Sequence, residues 1–311
     1  MKILILGAGA IGGYLGSRLV EAGADVNFLV REARRAQLDR EGLRLRSVFG
    51  DVDCKVVTVS AGELKPDNDL AIVTCKAYDL DSAIEAIGPG LSQNGLVLPI
   101  LNGLGHIATL NAAFGQDRVL GGTIKLSASR LADGTIKHMN DWHWLRFGEQ
   151  AGGLSDRVLA VQAAFDGCVG LEAVPQENIM QEMWEKFVHL TTAAAMTCLM
   201  RANSGQILAT DEGASLFQQM LETSANIARA SGYPPSDEFM ETYRTLFADR
   251  DGTYATSMLR DIEAGNRTEG EQIVGLMLQR AREFDIDSPL LTAAYAHLKA
   301  YEVRQANGGK I

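Results

Sequence analysis

Short apolar runs and helix-length segments alternate along the first half of the chain. Each run has the length of a strand. Ile3–Leu6, Leu70–Cys75 and Leu96–Leu101 are apolar at most positions, which is typical of strands buried on both faces of a parallel sheet. Helical segments are predicted between them, over 11–20 and from Ser82 to Ile87. Asp133-Gly134, a hairpin turn signal, joins the last two strands. The predicted strands are Ile3–Leu6, Asp25–Val30, Leu70–Cys75, Leu96–Leu101, Val119–Ser127 and Thr135–Phe147.

After Pro175 the apolar positions recur at the spacing of amphipathic helices. The predicted helices are Glu177–Leu199, Asp211–Ala230, Ser236–Asp249, Thr253–Ala264, Thr268–Phe284 and Pro289–Arg304. The pattern therefore predicts an α/β domain over residues 1–172 and an all-α helical bundle over residues 173–311. The first domain should be a doubly wound parallel sheet with an antiparallel or mixed edge.

A glycine-rich turn joins the first predicted strand to the first predicted helix. Gly7-Ala-Gly9-Ala-Ile-Gly12 has the spacing and the strand–turn–helix context of a dinucleotide-binding loop. Gly7 permits the tight turn, Gly9 lets a pyrophosphate approach the backbone, and Gly12 lets the helix pack on the strand. The first amides of the helix would bind the phosphates. We predict a Rossmann-type domain whose cofactor-binding residues in this loop are Gly7, Gly9, Ala10, Ile11 and Gly12.

The end of the second predicted strand favours NADPH over NADH. NAD-binding units usually place Asp or Glu here for the ribose hydroxyls, whereas this chain has Arg31, whose guanidinium suits a 2′-phosphate. Glu32 is a contrary sign, because its carboxylate could bind a ribose hydroxyl. Arg34 and Arg35 fit phosphate binding and a solvated helix face equally well. We predict NADPH/NADP+ as the cofactor and Arg31 as a cofactor-binding residue.

Composition narrows the class of protein. The 311 residues are 46% apolar, enough for two full cores, and the net charge of −10 argues against a nucleic-acid-binding protein. The four cysteines are widely spaced and predict neither a disulfide framework nor a zinc site. No segment has the length and character of a membrane span. We expect a soluble cytoplasmic protein without a metal site.

Two polar residues follow predicted strands at the edge where ligands bind. In an open α/β sheet, ligands lie beyond the carboxyl ends of the strands, and Lys76 and Asn102 both fall at such ends. Both residues could therefore contact the cofactor or the substrate. A solvated loop lysine and an ordinary Asn-Gly turn explain the two positions equally well.

Lys186 lies on an apolar stripe of the first helix of the second predicted domain. The residues that share its face, at three- and four-residue spacing, are Ile179, Met183, Leu190 and Ala194. Burial would lower the pKa of this ammonium, a property that suits a general acid working near neutral pH. A surface ion pair with Glu182 is the structural alternative.

Three further residues have both a structural and a chemical interpretation. Thr268-x-x-Glu271 has the spacing of a capping box, which assigns Glu271 to a helix N-terminus. Glu269 lies in the same first turn, where complementing the helix dipole is its simpler explanation. Ser257 either binds a substrate carboxylate or only lies in a helical turn.

With these residues in place, the chain resembles the ketopantoate reductase (2-dehydropantoate 2-reductase) family over nearly its whole length. The matching motifs are Gly7-Ala-Gly9-Ala-Ile-Gly12-Gly13, Cys75-Lys76-Ala77-Tyr78, Asn102-Gly103-Leu104-Gly105, Met183-Trp184-Glu185-Lys186, the run from Ser257 to Gly265, and Thr268-Glu269. Their order and spacing through both predicted domains make the set specific.

The resemblance implies NADPH-dependent reduction of a 2-oxo acid, first of all 2-dehydropantoate to pantoate in pantothenate biosynthesis. It implies that Lys186 is the general acid and that Glu269 lies beside the lysine and the substrate hydroxyl. Asn102 and Ser257 would bind the substrate, and Lys76 and Asn102 would lie near the cofactor. The expected partners are a small-molecule 2-oxo acid and, if the chain self-associates, a second copy in a homodimer; neither nucleic acid nor a membrane is expected.

The sequence departs from the family pattern at three positions. Leu190 and Ala194 stand four and eight residues after the lysine, where well-studied members have asparagine, and Val274 replaces a third asparagine. A pocket without these amides would discriminate less sharply for a polar substrate, so a paralogous reductase for a less polar 2-oxo acid stays open. A non-catalytic NADPH-sensing regulator is the alternative from another class, and the joint presence of the predicted catalytic and substrate residues argues against it.

Overall fold

A computed structural model describes residues 1–309 and divides the chain into two compact units. The first unit contains Met1–Leu101 and His106–Met180, and the second contains Asn102–Gly105 and the chain from Gln181 onwards. The main division therefore falls after Met180, later than the predicted boundary at 172/173. The reason is a short strand at 172–175 that pairs within a sheet of the first unit.

The first unit is built from strands and helices, which alternate as predicted except over residues 43–73 and 121–148, where strands follow one another without an α-helix. In chain order they are β1 Lys2–Leu6, α1 Ala10–Glu21, β2 Asp25–Leu29, α2 Glu32–Glu41, β3 Leu43–Arg46, β4 Val52–Cys54, β5 Val57–Val59, β6 Asn68–Val73, α3 Leu80–Ile87, β7 Leu91–Pro99, α4 Gly105–Phe114, β8 Gly121–Arg130, β9 Ile136–Gly148, α5 Asp156–Ala163 and β10 Glu172–Pro175.

The sheet that bears the glycine-rich turn is parallel throughout and has the strand order β5-β2-β1-β6-β7. This is the order of a Rossmann-type sheet, with β1 at its centre. The central strand is buried on both faces, since Ile3 and Ile5 pack into one apolar cluster and Leu4 into another. The predicted doubly wound fold is therefore confirmed.

The antiparallel strands are not an edge of this sheet, and that prediction was wrong. β8 and β9 form the expected hairpin, but they belong to a second sheet in which β9 is flanked by β3 and β10, with β4 beyond β3. Asp133 fixes the hairpin turn by accepting hydrogen bonds from the amide and hydroxyl of Thr135. The strands that complete the second sheet are only three or four residues long, too short for the apolar pattern to reveal.

The second unit is built from helices, as predicted. They are α6 Ile179–Met200, whose first two residues group with the first unit, α7 Ser204–Leu208, α8 Gly213–Ala230, α9 Asp237–Leu246, α10 Ser257–Glu263, α11 Leu276–Glu283 and α12 Pro289–Ala306. In α6 the buried hydroxyls of Thr192 and Thr197 donate to the carbonyls of Val188 and Ala193, which lets polar residues occupy a helix in the core.

One predicted helix is irregular at its start. Within the predicted helix Thr268–Phe284 the chain is helical from residue 270, and a π-helical turn over Glu271–Gly275 leads directly into α11. Over residues 1–309 no helix has both the length and the apolar character required to cross a bilayer.

Candidate active site

The glycine-rich turn has the geometry of a phosphate cradle. Gly7 has a φ of +90°, which favours glycine, and α1 begins at Ala10. A Cβ atom at Gly12 would lie 2.3 Å from the carbonyl oxygen of Gly7, so only glycine lets the helix start so close to the strand. A Cβ atom at Gly9 would meet no atom within 4 Å, which leaves open space over the backbone there. The residues present therefore fit a dinucleotide pyrophosphate at the N-terminus of α1.

The three arginines after β2 have different surroundings. Arg35 pairs with Glu63 at 2.6 Å, and Arg34 donates to the carbonyls of Ala8 and Gly134. Arg31 precedes α2 with its side chain 86% exposed, and it approaches Asp79 only at 3.8 Å. Of these three guanidinium groups, that of Arg31 is the most accessible to a phosphate.

Arg34 has a role that the sequence analysis missed. Its Nε donates to the carbonyl of Ala8 inside the glycine-rich turn at 3.2 Å, and its Nη2 reaches the β8–β9 turn at Gly134. Partial burial lowers the pKa of this guanidinium. Arg34 therefore links the glycine-rich turn to the β8–β9 turn. The only signal for this role in the sequence was its place one helical turn after Arg31.

Lys76 lies beyond the carboxyl end of β6, as predicted. It precedes a 3₁₀ turn over Ala77–Asp79, and its side chain is half-buried. Asp79 in the same turn is the carboxylate that faces Arg31. Both predicted cofactor-binding cations thus lie next to one short turn of the first unit.

Asn102 belongs to the second unit, together with Gly103, Leu104 and Gly105. Gly103 is buried with a φ of +81°, and a Cβ atom there would lie 2.6 Å from the carbonyl oxygen of Gln272 in the π-helical turn. Leu104 packs against the apolar core of the second unit. Residues 102–105 therefore pack with the second unit, although the strand that precedes them belongs to the first.

Lys186 and Glu269 form a charged pair within the second unit. Burial lowers the pKa of the Lys186 ammonium to about 8, and the negative charge of Glu269 opposes part of that shift. Glu269 is only 5% exposed, which is unusual for a carboxylate and requires partners. The structure thus brings together the predicted general acid and the predicted carboxylate, although they are far apart in the sequence.

The capping box predicted at Thr268-x-x-Glu271 is wrong. The hydroxyl of Thr268 accepts from the amide of Gly270, whereas Glu271 accepts from the hydroxyl of Tyr295 at 2.7 Å and from Lys299 at 3.3 Å. The helix starts as a π-helical turn, so the N-terminal geometry that a capping box requires is not formed. Ser257 is exposed as the first residue of α10, and Thr256 caps that helix through Leu259.

The three departures from the family pattern lie in or beside the core of the second unit. Ala194 is 2% exposed, and Val274 in the π-helical turn is fully buried. Leu190 is partly exposed and packs against the same core. Leu190 is thus the one of the three whose side chain reaches solvent.

Comparison with known proteins identifies the family of this chain. Two family models match the chain, "Ketopantoate reductase PanE/ApbA" over residues 3–152 and "Ketopantoate reductase PanE/ApbA C terminal" over residues 178–302. The chain belongs to the ketopantoate reductase family. It is therefore an NADP-dependent oxidoreductase that acts on CH–OH groups, and the predicted cofactor, NADPH/NADP+, is that of the family.

Individual members of the family match over almost the full length. The uncharacterized oxidoreductase YkpB of Bacillus subtilis is 35% identical over 98% of this chain and 100% of its own length. The 2-dehydropantoate 2-reductase of Halobacterium salinarum is 29% identical over 94% of this chain and 95% of its own. The crystal structure of the Methylococcus capsulatus 2-dehydropantoate 2-reductase superposes with a TM-score of 0.87 at 28% identity, covering 98% of each chain.

Proposed function

We propose that this ketopantoate reductase family member reduces 2-dehydropantoate to pantoate with NADPH. The observation that carries the proposal is the Lys186–Glu269 pair, which provides a general acid with a pKa near 8 beside a buried carboxylate. At neutral pH such a lysine is mostly protonated, yet it releases its proton more readily than an exposed lysine. A carbonyl reduction needs a group of this kind.

Each residue has a separate task in this proposal. NADPH, when bound, supplies the hydride to the carbonyl carbon. Lys186 donates its proton to the carbonyl oxygen, so the C=O bond becomes a CH–OH group and the lysine is left neutral. Glu269 favours the protonated lysine before the reaction, and Asn102 and Ser257 hold the substrate by hydrogen bonds. In the first unit, the glycine-rich turn, Lys76 and Arg31 bind the cofactor.

The residues around Lys186 also support a second substrate. Leu190 stands one helical turn after the lysine, where family resemblance implies asparagine, and it is the departure that reaches solvent. An apolar side chain there offers no partner for the distal hydroxyl of 2-dehydropantoate. A less polar 2-oxo acid, such as 2-oxoisovalerate, is therefore the alternative substrate.

A panel of 2-oxo acids tests the proposal. NADPH oxidation is followed at about 340 nm, and kcat/KM is compared for 2-dehydropantoate, 2-oxoisovalerate and aromatic 2-oxo acids. If kcat/KM is highest for 2-dehydropantoate, the proposal is supported. If it is highest for another 2-oxo acid, the proposed substrate is wrong but the reaction type is retained. Tight NADPH binding without turnover on any of them would favour the sensing role instead. A homodimer stays a prediction, which sedimentation equilibrium would test.

A further inference from the structure

We propose that the π-helical turn Glu271–Gly275 is a positioning element that holds the Asn102 loop and Glu269 in their places relative to each other. Glu271 and Tyr295 are the residues that hold the turn itself in place. The proposal rests on the function proposed above for Asn102 and Glu269. It concerns contacts inside the second unit only.

The π-helical turn contacts the Asn102 loop directly. In a regular α-helix the amide of Leu276 would bond the carbonyl of Gln272, but here it donates to the carbonyls of Glu271 and Ile273. Gly103 packs directly against the carbonyl of Gln272, with no room for a side chain between them. A π-helical turn thus presents this carbonyl to the loop, and such turns occur frequently at functional sites.

The same turn also holds Glu269. The carbonyl of Glu269 accepts from the amide of Ile273 at 3.1 Å, so the backbone of this carboxylate is bonded into the turn. Glu269 in turn is the charge that acts on Lys186. A displacement of the turn would therefore move two predicted site residues together, Asn102 through Gly103 and Glu269 through its backbone.

Helix α12 fixes the turn from its outer side. The hydroxyl of Tyr295 donates to Glu271 Oε2 at 2.7 Å, and Lys299 approaches the same oxygen at 3.3 Å. The Tyr295 ring lies so close to Gly275 that a Cβ atom there would be 2.8 Å from its Cε2. The side chains of Glu271 and Lys299 are 55% and 44% exposed, so this contact contributes little to global stability. Its place at one end of a π-helical turn fits a positioning role instead.

Tyr295→Phe is the main test, because it removes the hydroxyl and keeps the ring against Gly275. We expect kcat/KM for the 2-oxo acid to fall by about tenfold to a hundredfold, with the melting temperature and NADPH affinity nearly unchanged. Glu271→Ala removes the same hydrogen bond together with the contact to Lys299, and it should lower kcat/KM in the same way. The double variant should be no worse than Glu271→Ala alone, because both changes act on the Tyr295–Glu271 bond. Glu271→Gln keeps an acceptor oxygen and should restore most of the activity. Glu302→Gln is the matched control, since it removes the other carboxylate partner of Lys299 and leaves the Tyr295–Glu271 bond intact.

A second measurement does not depend on turnover. The pH dependence of Lys186 acetylation by acetic anhydride, followed by mass spectrometry of its peptide, reports the pKa of the amine in the free enzyme. If Tyr295→Phe lets Glu269 move away, that pKa should fall below the wild-type value, because the opposing negative charge is weakened. If the wild-type protein has no reductase activity but the pKa of Lys186 still changes in Tyr295→Phe, the proposed function is contradicted and the positioning role is supported.

Gly103→Ala tests the loop side of the turn. Its control is Gly232→Ala, which has a similar φ of +88° but no atom within 4 Å of the added Cβ, so both variants share the backbone strain and only one has the clash. We expect Gly103→Ala to raise KM for the 2-oxo acid at least tenfold and Gly232→Ala to leave it unchanged. Wild-type kcat/KM and a wild-type Lys186 pKa in Tyr295→Phe, or equal effects of the two glycine variants, would overturn the proposal.

Discussion

The carboxylate of Glu269 opposes part of the pKa depression that burial imposes on Lys186. Both residues lie in the second unit, one on α6 and the other just before the π-helical turn. The pair keeps the lysine protonated at neutral pH while leaving its pKa well below that of an exposed lysine. An acid of this strength can give up its proton to a developing alkoxide.

Lys186→Ala should lower kcat by about a hundredfold or more, the usual scale of general acid catalysis. NADPH affinity should barely change, since the predicted cofactor-binding residues Arg31 and Lys76 are in the first unit. Stopped-flow turnover and NADPH titration by fluorescence measure the two quantities. Arg280→Ala removes an exposed cation of the same unit, paired with Glu283, and serves as the control. Near-normal turnover in Lys186→Ala would show that this lysine is structural and is not the general acid.

The pH profile of kcat/KM should fall on its basic side with a pKa near 8. Activity requires the protonated amine, so it is present below this pKa and is lost as the pH rises through it. Glu269→Gln removes the negative charge that raises the pKa of the lysine, and the basic limb should move to lower pH. A limb that stays in place, or that moves upward, would show that Glu269 does not act on Lys186.

Arg31→Ala should weaken NADPH binding far more than NADH binding. Only NADPH offers the 2′-phosphate for a charge-assisted contact with an exposed guanidinium. Arg35→Ala in the helix that follows Arg31 is the matched control, because Arg35 already pairs with Glu63 and should discriminate little between the two cofactors. Dissociation constants from isothermal titration give the comparison. If Arg31→Ala lowers the affinity for both cofactors equally, Arg31 does not bind the 2′-phosphate.

Leu190→Asn should raise the preference for 2-dehydropantoate over 2-oxoisovalerate, expressed as a ratio of kcat/KM values. The new amide offers a partner for the distal hydroxyl at the one departure that reaches solvent. Val274→Asn is a useful contrast. It places an amide at a fully buried position, so it should lower the melting temperature rather than change specificity. An unchanged ratio in Leu190→Asn would mean that other residues recognise the hydroxyl.

The sequence by itself determined the parts whose signals are local. The glycine spacing from Gly7 to Gly12 specifies a turn whose backbone geometry only glycine permits, and the apolar runs on either side specify a buried parallel strand and its helix. The apolar stripe around Lys186 predicted a lysine with a lowered pKa, because residues three and four apart share a helix face. The motifs that carry the family resemblance are likewise short, contiguous stretches of the sequence.

Only the tertiary structure decided which distant residues meet. The loop at Asn102 leaves its strand to pack on the π-helical turn, Arg34 supports the glycine-rich turn, and Glu271 binds Tyr295 rather than capping its own helix. Each of these contacts joins residues well separated in the sequence. Hydrophobic periodicity reports which face of an element is buried and carries no information about its partner, so the packing of whole elements selects these contacts.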